Sequence, residues 1–153
     1  MEILKVVVAA LASFAFGAAW YMALAKPWMA AAGIECDENG APMNRANPVP
    51  YILSALCMLV VAGMMRHIFA MAGITAVGGF GGGLISGFGI GAFFIAPWVM
   101  INNAYVGRPF TLTLIDGGYA IFGCAIIGGA DAVLKKMEGP DPIETLHPPH
   151  VLP

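Results

Sequence analysis

The chain has 153 residues, 59% of them hydrophobic and only 10% charged, with a net charge of −2 and a mean hydropathy of +0.82. Soluble domains carry roughly a quarter charged residues, so this composition belongs to a membrane protein. No basic patch alternates with aromatics, and no nucleic-acid partner is expected.

The first apolar stretch, residues 3–25, supplies 23 residues, or about 34 Å of helix. "ALA" at 23–25 resembles a signal-peptide cleavage site. The apolar part is too long for that reading, and Glu2 offsets the charge of Lys5. A retained membrane helix is therefore expected. Residues 26–47 read as a polar loop with Glu35, Asp37, Glu38, Cys36 and Arg45.

The second span covers 48–72, with Arg66 and His67 towards its end and Gly73 as a left-handed C-cap. The third covers 77–101 and contains "GGFGGGLISGFGIG". Gly79, Gly83, Gly87 and Gly91 recur every fourth residue, a row that lets helix backbones approach in lipid. Its expected role is packing inside one bundle; a homodimer face or a flexible gate are the alternatives. Pro97 frees the carbonyl of Phe93, so a kink is expected there.

The fourth span covers 109–134. Asp116, Ala120, Cys124 and Gly128 share one face of it, as Ala9, Ser13, Gly17 and Tyr21 do on the first helix. Asp116 should therefore face the bundle, because a carboxylate towards lipid is costly. The segment 135–153 is polar and proline-rich and reads as an extended tail.

Together these segments predict an all-α, four-helix transmembrane bundle with a glycine-rich third helix. Both termini should lie on the same side, with a weak lean to the cytoplasm from four Lys/Arg against three.

The hairpin order brings Trp20 and Tyr21 of the first helix, Trp98, Asn102 and Asn103 of the third, and Arg108, Asp116 and Tyr119 to one end of the bundle. The other half offers nothing comparable in this reading. Three roles compete for Asp116. It could be a structural acceptor that fixes helix register, a protonatable group in a substrate or proton path, or part of a site for a lipid headgroup or small ligand. Arg108 is placed to reach down and supply a counter-charge. Trp20, Trp28 and Trp98 also suit an interfacial belt.

Cys36, Cys57 and Cys124 have no metal-ligand spacing, and His147 and His150 lack companions. No catalytic constellation can be assembled. The expectation is a non-enzymatic protein without metal or cofactor.

"GAAWYMALAKPWM", the glycine-rich third helix and "NNAYVGRPFTLTLIDGGYAIF" resemble a bacterial family of small membrane proteins, the domain of unknown function DUF1761. The motifs that carry the likeness are Trp20–Tyr21, Gly107–Arg108–Pro109 and the run from Leu114 to Tyr119. The resemblance implies a four-helix inner-membrane protein and supplies no activity. The long acidic first loop and the tail depart from the family pattern and suit docking to a larger assembly. An accessory or packing subunit of a membrane complex is the expected role. A dimeric proton-coupled transporter using Asp116 is the alternative, and contact with partners is expected through the glycine face, the first loop or the tail.

Overall fold

A computed structural model describes residues 2–138 of the chain. The proline-rich tail, with His147 and His150, lies outside the described residues. The element order is α1 (Glu2–Ala23), α2 (Ala25–Ala32), α3 (Val49–Ala72), α4 (Ile74–Ile90), a π-helical turn (Gly91–Ile95), α5 (Ala96–Tyr105) and α6 (Phe110–Glu138). Four stretches are long and apolar enough to cross a membrane: Glu2–Ala23, Val49–Ala72, Gly78–Tyr105 and Phe110–Met137. The molecule is an all-α, four-helix transmembrane bundle.

Residues 26–32, expected within the polar loop, are helical instead. Pro27 lacks the N–H that would bond the carbonyl of Ala23, and the chain bends at Leu24 (φ −105°, ψ 16°). Helix resumes as α2 and ends at Gly33, a left-handed C-cap at φ 69°. The loop proper is 33–48. Asp37 organises it by accepting the backbone N–H groups of Ala41 and Asn39 and pairing with Arg45 at 2.9 Å. The Ala41 bond, then those from Asn39 and Arg45, hold its carboxyl below the usual carboxylate range.

The third span is interrupted twice. At Gly79 the backbone turns to φ 53°, ψ −146°, a conformation that excludes a side chain. At Gly91–Ile95 the helix widens to a π turn just before Pro97. Where the sequence predicts a kink, the wider turn carries the chain past the missing N–H.

α6 is the central helix, in contact with every other element. Three of the four glycines in the repeating row face it. A Cβ on Gly83 would collide with the Gly128 carbonyl, one on Gly87 with the Cys124 carbonyl, and one on Gly91 with the Ala120 carbonyl. The glycine row and the small-residue row of α6 thus meet backbone to backbone in a shared four-residue register. Gly79 does not take part: nothing lies within 4 Å of its Cβ position. It is a kink residue and not a packing residue, because its backbone has left the helix there.

The core is made by Ala9 and Ala10 of α1, Ala62, Met65 and Phe69 of α3, and Cys124 and Ile127 of α6. At the end of the bundle near Glu2, Arg66 turns inward and pairs with Asp131 and with Glu2, its Nε lying 2.7 Å from Glu2 Oε2. Lys5 is buried and pairs with Glu2 at 3.2 Å. This corrects the expectation that this half offers nothing comparable to the cluster at Asp116; His67, beside Arg66 in the chain, is exposed. Pairing offsets part of the cost of withdrawing each charge from water, and loss of one partner would strand the other.

Two predictions follow from this packing. Gly87→Ala should lower stability by about 1–3 kcal/mol through helix separation. Gly81→Ala, with open space around its Cβ position, should be neutral or stabilise by up to about 1 kcal/mol through helix propensity; thermal melts in detergent compare the two. Arg66→Met should destabilise by about 3–5 kcal/mol by stranding Asp131, and Arg66→Met with Asp131→Leu should recover much of that loss in the same melts.

Candidate functional site

Gly107, in left-handed conformation at φ 66°, closes α5 and turns the chain into α6. Asp116 follows six residues after the start of α6, about 9 Å along its axis. α1 delivers Trp20 and Tyr21 to the same level on adjacent faces. Past the bend at Leu24, α2 carries Trp28 into hydrogen-bond reach of Asp116.

Asp116 is half-buried and accepts two hydrogen bonds, from the Tyr21 hydroxyl at 2.9 Å and from the Trp28 indole N–H at 3.1 Å. Both end on Oδ1. Among the described residues no hydrogen bond or ion pair reaches Oδ2. No buried side-chain oxygen there lacks a partner, so Oδ2 is not sealed in the interior.

The glycines around this site make room for rings. A Cβ on Gly118 would stand 2.9 Å from the Trp20 ring, and one on Gly17 2.7 Å from the Tyr119 ring. Trp20 donates its indole N–H to the Ile115 carbonyl at 3.0 Å. The Tyr119 hydroxyl lies 3.4 Å from the Ser13 carbonyl and 3.5 Å from the Met58 sulfur. Tyr21 meets Trp28 and Tyr119 edge-on, with ring centroids 5.2 and 5.3 Å away.

Of the residues singled out in the sequence, Tyr21, Asp116 and Tyr119 converge, with Trp20 beside them. The others do not. Arg108 is exposed and donates to the Ala32 carbonyl at 2.9 Å, capping the end of α2 and not supplying a counter-charge to Asp116. Asn103 bonds Thr113 Oγ1 at 3.2 Å, while Asn102 and Trp98 point outward. Trp28, read as an interfacial ring, is instead a direct partner of the carboxylate. The signal for it was its spacing of seven residues from Tyr21, which puts both rings on one face of a chain that stays helical past Leu24.

A cleft of about 250 Å³ opens beside the carboxylate. Asp116, Tyr21 and Tyr119 are among the residues that line it, with Met58, Ile95 and Val99, and the surface it exposes is almost entirely apolar. α3 packs against α1, α4 and α6. Among the described residues no group of His, Cys, Asp and Glu could hold a metal ion.

The hydrogen-bond geometry separates two substitutions. Asp116→Asn retains Oδ1 and should fold with a Tm close to that of the parent. Asp116→Leu leaves the Tyr21 hydroxyl and the Trp28 N–H without a partner and should cost about 1–3 kcal/mol per donor. Thermal melts and Trp28 fluorescence distinguish the two.

The family described as "Protein of unknown function (DUF1761)" matches residues 4–130. Neither a curated protein nor a solved structure matches the chain. The carboxylate, both of its donors and the cleft fall within the matched residues, and the chain belongs to the DUF1761 family.

Proposed function

We propose that the protein is a non-enzymatic, multi-pass component of a bacterial cytoplasmic membrane, acting as an accessory or packing subunit of a membrane complex. The observation that carries this reading is the N-terminal half of α3. Every residue from Val49 to Cys57 is exposed, whereas a bundle helix ordinarily buries one face against its neighbours. That half-helix has no inward side in the isolated chain, and a partner helix laid against it would complete the bundle. The exposed first loop, which carries Cys36, offers a further contact outside the bilayer. The glycine row is spent on α6 within the chain, so it is not the surface offered.

A second reading, a proton-coupled transporter, is favoured by one observation: Asp116 lines a cleft and has no ion-pair partner among the described residues. That arrangement suits a site that exchanges a proton for a substrate.

Cys57, exposed midway along α3, provides the test. In native membranes a bifunctional maleimide should link Cys57 to a discrete partner, and mass spectrometry should return the same partner when Cys36 is replaced by Ser. Reaction of Cys57 at the same rate in native membranes as in the purified protein, without a linked product, would overturn the subunit reading.

A further inference from the structure

We propose that the groove between α1, α4 and α6 seats one acyl chain of an anionic phospholipid, with the lipid phosphate held by Lys136. The inference goes beyond the subunit role and does not depend on it.

The groove encloses about 340 Å³ and exposes almost no polar surface. α1 contributes Val8, α4 contributes Phe80 and Leu84, and α6 contributes a stripe between Ile126 and Leu134. One wall is seated on bare backbone. A Cβ on Gly129 would stand 2.9 Å from the Leu84 side chain and 3.0 Å from the Phe80 ring, so both lie directly on α6. Val8, Phe80 and Val133 are exposed, and each belongs to a stretch long and apolar enough to cross the membrane. The groove therefore opens towards lipid.

Its length suits one leaflet. From Ile126 to Lys136 the helix rises about 15 Å, close to half of the roughly 30 Å hydrocarbon thickness. Ile126 lies near the middle of the span Phe110–Met137, and Lys136 lies at its end. A chain hung from that interface runs the whole groove and meets no polar group that would have to give up water. A partner helix, about 10 Å across, would bridge the groove and leave it unfilled.

Charge selects the head. At this end of the bundle Glu2 and Asp131 are engaged by Lys5 and Arg66. Lys135 and Lys136, in the last turn of α6, come in addition and have no ion-pair partner among the described residues. Lys136 is exposed. It stands three residues after Val133 and seven after Gly129, so it continues the stripe of α6 that lines the groove. Lys135 points to the other side of the helix. An ammonium at the mouth of an apolar groove matches the phosphate at the top of an acyl chain. A zwitterionic lipid brings its own cation to that phosphate and gains less.

The test places the full chain in phosphatidylcholine nanodiscs with a small fraction of phosphatidylglycerol carrying a diazirine on its acyl chain. Phosphatidylcholine with the same tag is the control, and photoproducts are mapped by mass spectrometry. The anionic probe should label Phe80, Leu84 and Val133 about fivefold more than the control, the ratio expected for one lysine at about 1 kcal/mol. Lys136→Gln should bring the two probes level, whereas Lys135→Gln should leave most of the preference. Val133→Phe, which fills the groove from an exposed position, should reduce groove labelling by both probes and leave labelling of Val60 and Met64 on α3 unchanged. Equal labelling by the two lipids in the parent would overturn the proposal. So would equal effects of Lys135→Gln and Lys136→Gln, unchanged groove labelling in Val133→Phe, or labelling no denser in the groove than on α3.

Discussion

The contact between α4 and α6 governs the rest of the bundle. In lipid, helices gain little from the hydrophobic effect when they associate, so close backbone approach and the dispersion it brings must hold them. Here the approach is complete: Gly83, Gly87 and Gly91 present bare backbone to Gly128, Cys124 and Ala120 at matching intervals. Any side chain at Gly83 or Gly87 would strike a carbonyl of the facing helix. Because both rows repeat every four residues, one register satisfies all three contacts together. α6 becomes the axis on which α1 and α3 are arranged, and Phe69 of α3 packs beside Gly128.

Two polar clusters pin the bundle at its ends. At one, Arg66 joins α3 to α1 through Glu2 and to α6 through Asp131. At the other, Asp116 of α6 ties in α1 through Tyr21 and α2 through Trp28. Within a bilayer a polar group without a partner costs more than it does in water, so each cluster penalises rotation or sliding of its helices. The two clusters differ in kind. The Arg66 cluster pairs charge with charge and is satisfied within the chain. The Asp116 cluster answers a carboxylate with neutral donors, both on one oxygen. Chemistry beyond packing is therefore to be sought at Asp116.

Irregular backbone shapes the surroundings of Asp116. The bend at Leu24 joins α1 to α2, which sets Trp28 against Tyr21, and a π turn precedes α5. Ile95 of the π turn lines the cleft, so the widened turn supplies part of its wall. Straight helices through Pro27 and Pro97 would lack the hydrogen bonds that the proline nitrogens cannot make.

The sequence by itself determined the four spans, the left-handed cap at Gly73, the inward face of Asp116 and the glycine row. These follow from hydropathy and from the spacing of small residues along one helix, which depend on local geometry alone. It also placed Tyr21 and Tyr119 near Asp116, since hairpin order fixes which helix ends share a side. Only the tertiary structure decided which donors reach the carboxylate. Trp28 reaches it because the chain stays helical over residues 26–32, which read as part of the polar loop. Arg108 is diverted by the exposed carbonyl of Ala32, and Gly79 leaves the packing row because its backbone kinks. The Arg66–Asp131 pair lies 65 positions apart in the chain. It forms because the α4–α6 register brings α3 and the end of α6 together, and no spacing within either helix encodes that meeting.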